Sequence, residues 1–194
     1  MTQLEIEQMQ QSDHDASKEW AYQLMKRDDW VILDSETTGL DHNAEACEIS
    51  ILNSSGRPFL STLVRPQMAI PADATAIHGI TNEMVFNAPT FSEIHSLIQM
   101  AIQGKRCIIY NEGFDRRILS QCCKLASLPA LNYQSVDCAM HWYSQWCGEW
   151  NNYHGNYRWQ RLPGGDHTAL GDCLAVLSII QKMAAGYVEG DRPS

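Results

Sequence analysis

Two carboxylates, Asp34 and Glu36, end the apolar run in VILDSETTGL at residues 31–40. Side chains two apart on a strand point to the same side. The two acids therefore share a face, and their like charges repel unless they share a proton or bind a cation. The problem recurs in HTALGDCLAVLSII, where Asp172 follows His167 by five residues. Leu170, Leu174 and Leu177 make one helical stripe there and Ala169, Val176 and Ile179 another. A helix apolar on most sides is buried, so the pattern predicts a buried carboxylate that needs Arg, backbone donors or a metal ion. A third acid, Asp115 in YNEGFDRRIL, opens a helix just after an apolar run. Each acid has a plainer reading. Asp34 and Glu36 fit a solvated strand end before the turn at Thr37-Thr38-Gly39, Asp115 a helix start favoured by the macrodipole, and His167 a cap or a surface residue. Three separate segments presenting acids near the core are harder to explain by capping. Magnesium or manganese would answer their common demand, because hard cations prefer carboxylate oxygen. Two such ions about 4 Å apart can hold one phosphoryl group, activate water and stabilise the departing oxygen.

The acids need a frame. Trp30–Asp34, Glu48–Leu52 and Phe59–Val64 read as three strands with short links, which favours antiparallel pairing. Residues 71–91 read as a loop with one helical turn. Phe91 to about Gln103 is predicted helical, with Phe91, Ile94, Leu97, Ile98 and Ala101 on one face. Cys107–Tyr110 reads as a buried strand, Gly113–Leu125 as a helix, and Ser135–Val136 as a short strand leading into a helix that ends near Cys147. An aromatic, Gly-rich loop at 148–166 precedes a last helix at about 168–185. Strands first, then alternating helices and strands, predict an α/β fold with a mixed five-stranded sheet flanked by helices. Residues 1–15 read as disordered or weakly helical and Ala16–Arg27 as a short docked helix, with Trp20, Ala21, Leu24 and Met25 at helical spacing.

Composition narrows the class. The 194 residues are 44% hydrophobic, enough for a core, and hold no apolar run long enough for a membrane span. The polar, acidic start does not read as a signal peptide. Seven scattered cysteines predict reduced thiols and a cytoplasmic location. Cys138, His141, Cys147 and His154 have a spacing that could hold zinc, but without a CxxC knuckle the reading is disfavoured. A net charge of −9 argues against a long grip on phosphates.

DSETTGL at 34–40, AIHGIT at 76–81, NEGFD at 111–115 and HTALGD at 167–172 stand in an order that resembles the DEDD exonucleases of the ribonuclease H-like fold. The resemblance is to the subgroup with a catalytic histidine, relatives of the proofreading subunit of bacterial replicative DNA polymerase. It implies an exonuclease domain at 28–186, an N-terminal extension at 1–27 and a flexible tail at 187–194. It also implies that Asp34, Glu36, Asp115 and Asp172 hold two divalent cations, Mg2+ with Mn2+ as substitute, and that His167 is the general base. Thr37, Thr38, His78, Asn111 and Phe114 would meet the substrate, His78 and Asn111 with a structural role as the other reading. The implied reaction is 3′→5′ hydrolysis at single-stranded ends, DNA first and RNA as the alternative, releasing nucleoside 5′-monophosphates. Implied partners are a polymerase or another replication or repair protein, and a second copy of the chain. A non-catalytic nucleic-acid or polymerase-binding module is the rival of another class. Ser35 stands where the family often has Thr, and its side chain is expected to point away from the acids. In the 148–166 loop, Trp150, Tyr153, Tyr157 and Trp159 beside Arg158 and Arg161 fit either base stacking or a packed lid.

Overall fold

Val31–Leu33 and Cys107–Ile109 are apolar throughout, as strands buried on both faces must be. In the computed structural model, which describes residues 2–187, they lie side by side at the centre of one sheet. Its five strands are β1 (Trp30–Thr37), β2 (Ala46–Asn53), β3 (Pro58–Leu63), β4 (Arg106–Ile109) and β5 (Ser135–Cys138), in the order β3-β2-β1-β4-β5. The first three pair antiparallel, while β4 runs parallel to β1 and β5 parallel to β4. The mixed five-stranded α/β sheet is thus as expected.

Alternation along β1 divides the core. Val31 and Leu33 pack with Ile94 and Ile98 of α4 (Phe91–Ile102) and with Ile118 and Leu119 of α5 (Glu112–Leu125). Trp30 and Ile32 pack on the other face, against Trp20 and Leu24 of α1 (Gln3–Met25), Tyr143 of α6 (Ala139–Cys147) and Val176 and Ile180 of α7 (Ala169–Ala185). Burying each such aliphatic side chain contributes about 1.5–3 kcal/mol. The two-residue period thereby sends Asp34 and Glu36 toward the α7 face and Ser35 toward the α5 face.

Several local expectations change. Residues 3–15 belong to α1, a single helix of 23 residues. Thr2 and Glu5 form a capping box at its start, a sequence signature available at residues 2–5. Its polar half is held by side chains rather than apolar burial: Tyr157 donates to Asp13 Oδ2 at 2.7 Å, and Gln10 Nε2 to the Gly148 carbonyl at 2.5 Å. The 71–91 region contains α2 (Ala72–His78) and α3 (Asn82–Val85) instead of one turn. The 148–166 loop contains a small hairpin of β6 (Trp150–Asn151) and β7 (Asn156–Tyr157). Leu97 and Leu174, each expected on a buried stripe, are exposed, so α4 and α7 each bury a narrower face. From residue 188 on, the expected flexible tail lies outside the described residues.

Candidate active site

The carboxyl ends of β1 and β4 point the same way, and the helix after β4 starts beside them. In open α/β sheets this edge is where ligands bind. A cleft of about 680 Å³ opens there, lined by Asp34, Glu36, Asp115, His167 and Asp172 among others. Acids from residues 34 to 172 of the chain thus meet at one place.

Each acid is held differently. Asp34 and Glu36 lie within β1, which runs on to Thr37, rather than at its end. Asp115 sits in the first turn of α5, buried to 4% exposure, and Ser35 Oγ donates to its Oδ1 at 2.7 Å. Ser35 therefore does not turn away from the acids. It leaves the face of Asp34 and Glu36, as alternation requires, but α5 covers the opposite face and brings Asp115 to it. Asp172 is half-buried in the first turn of α7, not enclosed within the helix. The backbone N–H groups of Asp166 and His167 donate to its Oδ1 at 2.9 and 3.3 Å.

Burial pushes the Asp34 carboxyl well above the usual carboxylate range, and the charges of Asp115, Asp172, Glu36 and Glu48 push it further. Burial, then Asp172 and Glu48, raise Glu36 to about 7. Burial raises Asp115 to about 6 against the opposing hydrogen bond from Ser35. The protein alone thus assembles negative charge without neutralising it. Ligand atoms of Glu36, His167 and Asp172 all lie within 4.8 Å of one another, close enough to share an ion. The donor set, carboxylates with one imidazole, fits a hard divalent cation.

These shifts predict a pH-dependent stability without metal. A carboxyl raised on folding favours the folded state at low pH, and that benefit fades as pH climbs past the ordinary value toward the folded one. The metal-free protein should therefore melt roughly 3–6 °C lower at pH 8 than at pH 5.5, with solvent screening of the partly exposed groups allowed for. Added Mg2+ should raise the melting temperature more at pH 8 than at pH 5.5. Thermal scans at both pH values, with and without chelator, check this; a flat metal-free profile contradicts it.

His167 lies on the exposed approach to α7 with a backbone φ of 60°. This left-handed conformation is strained for a non-glycine residue. Asp166 fixes it: its Oδ1 accepts from the Thr168 N–H at 3.1 Å and the Thr168 hydroxyl at 2.8 Å. A Cβ at Gly171 would overlap the Asp166 carboxylate, and one at Gly165 would stand 2.9 Å from Asp172 Oδ1. Gly171→Ala should therefore displace Asp166 and the imidazole after it. The expected loss is about 10–100-fold in kcat, since a shift near 1 Å can cost about that much. Helix propensity gained at the same position keeps the melting temperature within a few degrees. Steady-state kinetics beside thermal melts would check both halves.

The other expected contacts divide. Asn111 and Phe114 line the cleft. Thr37, Thr38 and His78 do not line it and are engaged in the fold. Thr37 Oγ1 donates to the Gly39 carbonyl at 2.8 Å. Thr38 Oγ1 accepts from the Glu45 N–H at 3.0 Å, and His78 Nε2 lies 3.1 Å from the Thr37 carbonyl. Cys138, His141, Cys147 and His154 form no metal-holding group among the described residues, and Cys138 Sγ turns to the Tyr110 carbonyl.

Sequence reasoning missed Glu48, Ile77, Tyr110 and Leu162. Glu48 pairs with Glu36 across β1 and β2, and its Oε2 accepts from the Ala169 N–H at 2.8 Å. It thereby ties the start of α7, and so Asp172, to the sheet. The available signal was its place as the one charged residue in the apolar strand ACEISILN. Ile77, Tyr110 and Leu162 line the cleft and gave no local pattern of their own, while Arg161 of the aromatic loop lines it too.

A mixed sheet in this order, flanked by helices and with acids gathered at the carboxyl edge of its parallel strands, is the ribonuclease H-like architecture. Within that class the chain belongs to the exonuclease family: the RNase_T exonuclease model matches residues 31–180. It is therefore a hydrolytic exonuclease, of a family that works with divalent metal ions. It is 40% identical to the uncharacterized exonuclease CP81 of Escherichia phage 186, over 82% of this chain and 90% of that protein. DNA polymerase III subunit epsilon of Treponema pallidum is 30% identical over 61% of this chain, which spans 57% of that subunit. Among solved structures, Exonuclease X in complex with 5′-overhanging duplex DNA has 29% identity and a TM-score of 0.56, with 82% of this chain and 95% of that one covered. Escherichia coli Exonuclease I with a dA16 oligonucleotide shares the fold at 17% identity and a TM-score of 0.61, over 80% of this chain and 42% of that one. No helix among the described residues is long and apolar enough to cross a membrane.

Proposed function

We propose that this exonuclease removes nucleotides from the 3′ ends of single-stranded DNA, using two Mg2+ ions for which Mn2+ can substitute. The observation that carries the reading is the meeting of Asp34, Glu36, Asp115, Asp172 and His167 in one cleft. The DNA in the Exonuclease X structure and the similarity to epsilon subunits support DNA over RNA. The free cysteines fit work in the reducing cytoplasm.

Asp34, Glu36, Asp115 and Asp172 would hold the cations. When bound, such ions neutralise phosphate charge and act as Lewis acids on the transferred phosphoryl group. His167 takes the proton of the attacking water, which its position beside Glu36 and Asp172 supports. Asp172 accepts the backbone N–H of His167, so the base and the acids move as one unit. Ser35 keeps Asp115 oriented by its hydroxyl. Phe114 and Ile77 supply apolar walls for the terminal nucleotide. Water oxygen joins phosphorus as the bond to the 3′ oxygen breaks, and that oxygen gains a proton from solvent. The products are a nucleoside 5′-monophosphate and a strand with a new 3′ hydroxyl. With few free cations for a long phosphate track, the enzyme is distributive unless a polymerase or another protein tethers it.

Digestion of 5′-labelled single-stranded DNA with Mg2+ should give a ladder shortening from the 3′ end, and 3′-labelled strands should release labelled mononucleotide at once. Chelator should stop both. Shortening from the 5′ end, or turnover under excess chelator, overturns the reading; faster turnover of matched RNA moves the substrate to RNA.

A further inference from the structure

The segment after β7 is pinned to the cleft yet presents its largest side chain to solvent. Tyr110 donates its hydroxyl to the Gln160 carbonyl at 2.8 Å, and Tyr110, Arg161 and Leu162 line the cleft. On the other side of Gln160, Trp159 is 61% exposed. The hairpin ahead of it is firmly seated. Trp150 meets Tyr157 edge-on at 5.2 Å, Tyr157 donates to Asp13 of α1, and the Arg158 N–H donates to the Glu149 carbonyl at 2.8 Å. A Trp left in water on a braced backbone does not serve the core. Its neighbours Arg158 and Arg161 are also exposed, and among the described residues neither has an ion pair. The net charge of the chain is −9, so two guanidinium groups without an ion pair flanking an exposed indole place positive charge where phosphate could meet it.

We infer that Arg158–Arg161 is a binding platform for the DNA strand leading into the cleft. Trp159 stacks on a base upstream of the scissile bond, and Arg158 and Arg161 meet the phosphates on either side. Indole stacks on any base, so the platform reads strand length rather than sequence. Arg161 lines the cleft with the acids, whereas Trp159, two residues away, stands outside it in solvent, so the platform leads outward from the cleft to nucleotides beyond the terminal one. The inference rests on the proposed action on single strands and adds where the rest of the strand lies.

The test measures binding in an Asp34→Asn background with Mg2+, so that cleavage does not interfere. A fluorescent single-stranded 12-mer, by anisotropy, should bind Trp159→Ala about 5-fold or more weakly, the loss expected when one stacked base gives up its aromatic platform. Trp159→Phe should keep most of the affinity. Arg158→Ala should reduce the slope of log K against log salt by about 0.7. The loss in Trp159→Ala should vanish with a dinucleotide too short to cross the rim. Unchanged 12-mer affinity in Trp159→Ala, or an equal loss with the dinucleotide, overturns the platform while leaving an active exonuclease intact. A parent protein that neither digests nor binds single-stranded DNA overturns the underlying reading as well.

Discussion

Replacing Asp34 by Asn stops turnover and at the same time raises the melting point of the metal-free protein. The two effects share one cause. Asp34 is pressed by burial and by the charges of Asp115, Asp172, Glu36 and Glu48. In the absence of cations this costs stability at neutral and higher pH, because the unfolded chain ionises Asp34 freely and the folded one resists. An amide of the same shape removes that resistance, and the melting temperature at pH 8 rises by a few degrees. The gain shrinks as pH falls, because the folded carboxyl takes up its proton and its repulsion is relieved, and it is gone at about pH 4 and below, where the unfolded carboxyl is protonated too. With Mg2+ the order reverses, since the native acid set binds ions that stabilise it and the variant binds them less well. Turnover falls by about 10³-fold or more, because the lost carboxylate served charge development in the transition state. Thermal melts with and without chelator, together with single-turnover hydrolysis, test both halves. A variant that melts lower without metal, or keeps a tenth of the rate, contradicts the prediction.

His167→Ala is expected to lower kcat by about 10²–10⁴-fold, the usual contribution of a general base. KM should move far less, because the contacts proposed for the terminal nucleotide, Phe114, Ile77 and the acids, are left in place. The φ of 60° at this position gives a second readout. Glycine tolerates it and alanine does not, so His167→Gly should be as inactive as His167→Ala but more stable by about 1 kcal/mol. A large rise in KM with kcat nearly unchanged would make His167 a substrate contact instead.

The fold and the acid set were legible in the sequence for physical reasons. Uninterrupted apolar runs marked the central strands, and acids inserted where apolar residues belonged marked the cleft. What escaped notice was carried by polar side chains acting across distance. The first half of α1 shows no apolar stripe, because Asp13 and Gln10 hold it by hydrogen bonds to residues more than a hundred positions away. Glu48 looks like an ordinary polar residue until the register of β1 and β2 sets it beside Glu36. Ser35 was misread because alternation fixes which face a side chain takes but not which helix covers that face. Asp172 and the Leu174 stripe were assigned too much burial, since apolar composition does not say how much of a helix the sheet can cover.

Asp34 and Glu36 belong to the layer packed by α7, whereas Ser35 and Asp115 belong to the layer packed by α5. The proposed catalytic centre is thus a seam between two separately filled layers, and their relative slip sets how its halves face each other. Thermostabilising changes that swell or shrink one layer alone will re-aim half of the acids, and activity will suffer even when every active-site residue is untouched. Matched repacking of Ile118 on one side and Val176 on the other keeps the seam in alignment, so directed evolution of this enzyme should recover compensating pairs across the sheet rather than single core substitutions.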